Sequence, residues 1–128
     1  MIRLAPILFL AATLLTQEKW RVIGVTSTGN TVFLAPGSVR KASDGIITAG
    51  VRVTYTPPLE TPRGGITSSR AVAMFDCARR LVATRESVFF LDEKRGREYS
   101  RRKIEKPGFG QAPPSTYADV ALKYLCAK

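Results

Sequence analysis

Apolar and polar residues alternate with a period of two along most of the chain, as is typical of β-strands buried on one face only. The alternation is clearest in residues 46–56, where Val51, Val53 and Tyr55 fall on one side and Arg52 on the other. Further strands are predicted at 18–25, 31–34, 38–41, 69–77, 80–91 and 97–105, and the first of these is rich in β-branched residues. The pattern predicts an antiparallel sheet of about five or six strands with one solvated face.

Proline and glycine separate these runs, because proline lacks a backbone donor and glycine permits turn conformations. Pro36–Gly37 is expected to stop the second strand, and 38–41 either continues that strand or starts another. Residues 56–65 contain three prolines and a Gly–Gly pair, so we expect an exposed loop there. The remaining turns and loops are predicted at 28–30, 43–45, 92–96 and 106–114.

One helix is predicted, from Ser115 to Cys126 at the end of the chain. Ser115 or Thr116 can cap it, and Asp119 lies in the first turn, three residues after Thr116. An apolar face at helical spacing is formed by Tyr117, Val120, Ala121, Tyr124 and Leu125. The sequence therefore predicts an α+β domain in which the C-terminal helix packs on one face of the sheet.

The first residues have the features of an export signal. Arg3 gives a positive start, and the apolar run from Leu4 to Leu15 has the length of a signal-peptide hydrophobic region. The run is too short to span a bilayer comfortably, and no later apolar stretch is long enough to cross one. We expect 1–16 to be a cleaved signal peptide and 17–128 to be a single exported domain, in the periplasm or at the outer membrane or cell surface. An uncleaved anchor and a buried first strand are the alternatives.

The chain has two cysteines, Cys77 at the end of an apolar strand and Cys126 on the last turn of the helix. In an oxidising compartment two cysteines are most simply a disulfide, which would tie the helix to the sheet. The alternative is a redox or nucleophilic cysteine. That role normally needs a second nearby cysteine or a histidine base, and the sequence has neither a C-x-x-C pair nor any histidine.

The order of these features resembles the surface-adhesin protein E family of small exported bacterial proteins. The resemblance rests on Trp20, Asp76–Cys77, Gly96, Pro114–Ser115 and Cys126, and it spans nearly all of the mature chain. It implies the same sheet, helix and Cys77–Cys126 bridge. It also implies an adhesive function, since the family's named member is an outer-membrane adhesin for host proteins such as vitronectin, laminin and plasminogen. The chain departs from that member in having no cysteine after the leader for lipid attachment.

The chain is strongly basic, with 20 Lys and Arg against 10 Asp and Glu, for a net charge of +10. Such a balance favours anionic partners. The cations concentrate in the last third of the chain, where the candidate residues for binding an anionic partner are Lys94, Arg95, Arg97, Arg101 and Lys103. We expect Arg101 and Lys103 on one face of the returning strand and Arg102 on the other, more buried face. The alternative is a solvated hairpin whose ion pairs contribute little.

These observations favour a non-enzymatic exported binding or structural protein, in the form of an adhesin for host or envelope proteins. The alternative function is a cationic binder of nucleic acid or other polyanions, although export argues against nucleic acid. Without histidine the usual general base at neutral pH is absent, and no carboxylate pair or metal-binding cluster stands out. We therefore expect no enzyme activity, no cofactor and no metal. An uncovered edge strand could pair with a second copy to form a homodimer.

Overall fold

The alternating segments form six strands, and each strand pairs with its neighbour in sequence. The computed structural model describes residues 19–127, so the predicted signal peptide at 1–16 lies outside the described residues. The strands are β1 (Arg21–Val25), β2 (Thr31–Lys41), β3 (Ile47–Thr61), β4 (Gly64–Asp76), β5 (Leu81–Asp92) and β6 (Arg97–Lys103), and α1 is Tyr117–Cys126. They form one antiparallel sheet in the order β1-β2-β3-β4-β5-β6. The predicted α+β fold is confirmed.

The prediction that Pro36–Gly37 stops the second strand was wrong, because β2 continues through this pair to Lys41. The register shifts between Ala35 and Arg40, where the four residues 36–39 lie opposite the single residue Ala49 of β3 and form a bulge. The side chain of Ser38 replaces lost ladder contacts: its Oγ donates to the Ala35 carbonyl at 2.6 Å and accepts the Gly50 N–H at 2.8 Å. The Ser38 hydroxyl therefore links β2 to β3 at the bulge, where regular backbone pairing is interrupted.

The predicted loop at 56–65 was also wrong. Instead β3 runs to Thr61 and β4 starts at Gly64, with a two-residue turn at 62–63. A register shift between Thr54 and Leu59 accommodates the prolines of this segment. The Thr61 Oγ1 closes the turn by donating to the Gly64 carbonyl at 2.6 Å, and Gly64 has a φ of +118°, which favours glycine. The result is a long β3–β4 hairpin.

The core lies between the sheet and α1. The alternate residues of β2, β3 and β4 that face the helix are buried, and the buried set is Val32, Leu34, Ile47, Ala49, Val51, Ala73, Phe75, Ala121 and Leu122. Gly24 of β1 lets the helix approach closely, since a Cβ there would lie 2.7 Å from Cγ1 of Val120. Tyr124 differs from the prediction: it is exposed rather than packed in the apolar face.

Both ends of α1 are fixed. Thr116 is the N-cap, and its Oγ1 accepts the Asp119 N–H at 3.4 Å, while the Asp119 carboxylate accepts the Ser115 N–H at 2.8 Å. At the other end a disulfide joins Cys77 to Cys126, with an S–S distance of 2.01 Å and a Cα–Cα distance of 5.5 Å. The predicted link between sheet and helix is confirmed.

The two edges of the sheet are β1 and β6. Homodimerisation through an edge strand stays a prediction. Among residues 19–127, no helix combines the length and the apolar character that a membrane span requires.

Candidate functional site

Four exposed cations lie at one end of the sheet, where the β3–β4 and β5–β6 turns are found. They are Arg63, Lys94, Arg95 and Arg97, and we call this set the cationic tip. In an antiparallel meander, alternate turns lie at the same end, so the topology brings Arg63 beside a turn that is about 30 residues away in sequence. Gly96 completes the β5–β6 turn with a φ of +70° and donates its N–H to the Glu93 carbonyl at 3.1 Å.

Arg63 joins the β3–β4 turn to β6. Its guanidinium lies over the Tyr99 ring, with Cζ 4.6 Å from the ring centroid. Its Nη2 donates to the backbone carbonyls of Tyr99 at 3.0 Å and Glu98 at 3.3 Å. Sequence reasoning missed Arg63, because it placed this residue in an exposed loop. Recognising a two-residue hairpin turn at 62–63 would have been the signal that it lies beside β6.

The candidate residues on β6 itself are separated by the structure. Arg97 is at the tip, whereas Lys103 lies six residues further along the strand, ~20 Å away at about 3.3 Å per residue. Arg101 lies between them and is paired twice, through Nη1 to Glu86 at 3.0 Å and through Nε to Glu98 at 3.1 Å. The hydrogen bond from Arg101 holds the pKa of Glu98 below its ordinary value. The charge of Arg101 is therefore balanced locally.

The register of β6 agrees with the predicted alternation. Arg101 pairs with Val88 and Lys103 with Glu86, which places both on one face, and Arg102 pairs with Ser87 on the other. The expectation that Arg102 is buried was wrong: it is exposed. The physical reason is that α1 packs mainly against β1, β2, β3 and β5, and so leaves β6 uncovered.

The face of the sheet opposite α1, which we call the open face, is organised by Glu93. The Glu93 carboxylate accepts hydrogen bonds from Arg52 Nε at 2.9 Å and Ser68 Oγ at 2.6 Å, and it also pairs with Arg70 Nε. Its side chain is only 14% exposed. Although Glu93 belongs to the β5–β6 turn, its charge is directed into the open face and away from the tip.

Aromatic rings hold the two arginines of this cluster. Cζ of Arg52 lies 5.2 Å from the Phe33 centroid, and Cζ of Arg70 lies 5.3 Å from the Trp20 centroid and 5.9 Å from that of Phe90. Burial raises the pKa of Glu93, but the hydrogen bonds from Ser68 and the two arginines outweigh it and leave that pKa below its ordinary value. Glu93 is therefore a charged acceptor at neutral pH.

The site offers positive charge and aromatic surface, and it shows no constellation for metal chemistry. Among residues 19–127, no group of three or more Cys, Asp or Glu residues is placed to hold a metal ion. The predicted site residues lie on two distinct surfaces. Three of them, with Arg63, form the cationic tip, and the other two, Arg101 and Lys103, lie on the open face.

The sequence matches the family model of the surface-adhesin protein E over residues 20–127. Two solved structures of Haemophilus influenzae protein E have a similar fold. The crystal form II structure is 15% identical with a TM-score of 0.55, over 99% of this chain and 97% of that chain. A second structure is 14% identical with a TM-score of 0.51, over 88% of this chain and 86% of that chain. No curated protein sequence matches this chain. Because the family model covers nearly every described residue, the chain belongs to the surface-adhesin protein E family.

Proposed function

We propose that this chain is an exported, non-enzymatic binding protein of the bacterial surface, and that its cationic tip binds an acidic surface of a partner protein. Membership of a surface-adhesin family supports the adhesive class. We choose the cationic tip because two hairpins bring four exposed cations to one end of the sheet. These cations are Arg63, Lys94, Arg95 and Arg97.

The tip keeps its positive charge because the carboxylates of residues 92–98 either pair with arginines outside the tip or make only a long, exposed contact with it. Glu93 is turned into the open face, where Arg52 and Arg70 bind it. Asp92 reaches Arg95 only at 3.7 Å, and Arg95 is 80% exposed in that pair. Within residues 19–127, Lys94 and Arg97 form no ion pair. Exposed charge of this kind steers association and selects partners of opposite sign.

A protein partner fits the tip better than a nucleic acid does. Single-stranded nucleic acid is usually bound by basic grooves in which bases stack on exposed aromatic rings. The aromatic ring at this end of β6 is that of Tyr99, and the Arg63 guanidinium lies over it. A polyanion held by charge alone remains the alternative function, and the experiment below distinguishes it.

We expect that changing Lys94, Arg95 and Arg97 together to glutamate weakens binding to immobilised vitronectin or laminin by about tenfold or more at physiological salt. The exposed side chains contribute little to folding, so the melting temperature should change little. Surface plasmon resonance over a series of salt concentrations measures the effect, and the loss should be greatest at low salt, where screening is weakest.

The matched control changes Lys41, Arg102 and Lys106 to glutamate, which alters the net charge equally at exposed positions away from the tip. Equal losses in the two triple variants would mean that total charge decides binding, as for a nonspecific polyanion binder. Heparin and DNA would then bind as well as the glycoproteins do. Unchanged affinity and salt dependence in the tip variant would show that these cations are only solvated side chains.

A further inference from the structure

The open face contains a cleft that is not part of the cationic tip. Its volume is about 320 Å³, and its lining includes Trp20, Ser38, Gly50, Arg70, Val88 and Phe90. Trp20 precedes β1, and the other five residues come from the four adjacent strands β2 to β5. The volume is at the lower end of the range for small-molecule sites and suits a small ligand rather than a protein segment.

The floor of the cleft is apolar. Val88 and Phe90 are 7% and 8% exposed, although α1 lies on the opposite face of the sheet. Gly50 contributes no side chain, and the half-buried Trp20 forms a wall. A ligand that fills this space removes apolar surface from water, which favours a ligand with an apolar body.

Arg70 supplies a positioned positive charge at the cleft. Its Cζ lies 5.3 Å from the Trp20 centroid and 5.9 Å from the Phe90 centroid, and its Nε is bound to Glu93. Within residues 19–127, its two terminal nitrogens have no hydrogen-bond partner, so they can bind an anionic group. Arg101 also lines the cleft, but Glu86 and Glu98 already engage it.

We propose that this cleft binds a small amphipathic carboxylate, with the carboxylate on Arg70 and the apolar body against Val88, Phe90 and Trp20. The apolar floor disfavours a strongly hydrated anion such as phosphate, and the two arginines at the cleft disfavour a cation. Among residues 19–127, Glu86 is the only carboxylate of the cleft lining, and it opposes the ligand's charge. This site is separate from the cationic tip, so either can fail without the other.

Trp20 gives a direct probe, because it is the only tryptophan in the chain and it lines the cleft. We expect octanoate to shift the indole N–H resonance of Trp20 saturably in a ¹H–¹⁵N spectrum. Octylammonium at the same concentration and ionic strength should leave this resonance unchanged. Changing Arg70→Gln should weaken octanoate binding about tenfold. Changing Glu86→Gln should strengthen it, because a repelling charge is removed.

The control is Arg102→Gln, which removes the same charge on the opposite face of β6 and should leave octanoate binding unchanged. The proposal is overturned if the indole resonance does not move, or if octylammonium and octanoate shift it alike. It is also overturned if Arg70→Gln, folded by circular dichroism, binds octanoate as tightly as the wild type. If Arg70→Gln does not fold, the Glu86→Gln variant decides: unchanged or weaker octanoate binding overturns the proposal.

Discussion

Changing either Cys77 or Cys126 to serine is expected to lower the free energy of unfolding by about 4 kcal/mol. The disulfide closes a loop between residues 49 apart, and removing it restores that loop's conformational freedom to the unfolded chain. The bond also holds α1, whose Ala121 and Leu122 complete the core. A loss of this size is a large part of the stability of a small domain and should lower the Tm by more than about 10 °C. Thermal and urea unfolding measure it.

The control for this experiment is the Cys77→Ser/Cys126→Ser double variant. If the covalent link is what matters, the double variant should lose about as much stability as either single variant, because each already lacks the bond. Wild-type protein reduced with dithiothreitol should match them. A single variant with wild-type stability would mean that the packing of α1 alone holds the helix in place.

The helix and its cap could be predicted because their signals are local. Thr116 and Asp119 are three residues apart, and the cap they form depends on that spacing alone. The cysteine pair could be predicted because the chain contains only two. The residues that form the cap are close in sequence, and each cysteine has only one other cysteine with which it can pair.

The extensions of β2 and β3 could not be predicted, because they depend on contacts between strands. Pro36–Gly37 would end an isolated strand. It does not end β2, because Ser38 bonds to Gly50, 12 residues away on β3. The prolines after Thr56 are accommodated in the same way, by a register shift against β4. Local propensity correctly indicated that these residues interrupt regular strand pairing. It could not indicate that contacts with the neighbouring strand let β2 and β3 continue.

Only part of the candidate site could be predicted, because the rest also depends on contacts between strands. Lys94, Arg95 and Arg97 are exposed around the turn, as the charge pattern indicated. Glu93 lies in the same turn, and the alternative of a solvated hairpin would pair it with neighbouring cations. Its partners are instead Arg52 and Arg70, which are 41 and 23 residues away. Counting charges along the sequence gives the net charge of a segment, but it cannot show which face of the sheet receives each charge.

Changing Glu93→Gln is expected to lower the free energy of unfolding at neutral pH by about 2 kcal/mol. The variant leaves Arg52, which is 23% exposed, without its anionic partner, and weakens the acceptor for the buried Ser68 hydroxyl. The control is Asp92→Asn at the neighbouring position, where the ion pair is long and exposed, and where the loss should be below about 0.5 kcal/mol. Urea unfolding compares the two variants with the wild type.

The effect of Glu93→Gln should also depend on pH. The pKa of Glu93 is below its ordinary value of 4.5 in the folded protein, so the folded state favours the charged carboxylate. Its contribution to stability is fully present above pH 4.5 and is lost as the pH falls through the lower folded-state pKa. The difference in unfolding free energy between wild type and Glu93→Gln should therefore be constant near neutrality and shrink below pH 4.5. A difference that stays the same in acid would show that the shape of the side chain, and not its charge, stabilises the open face.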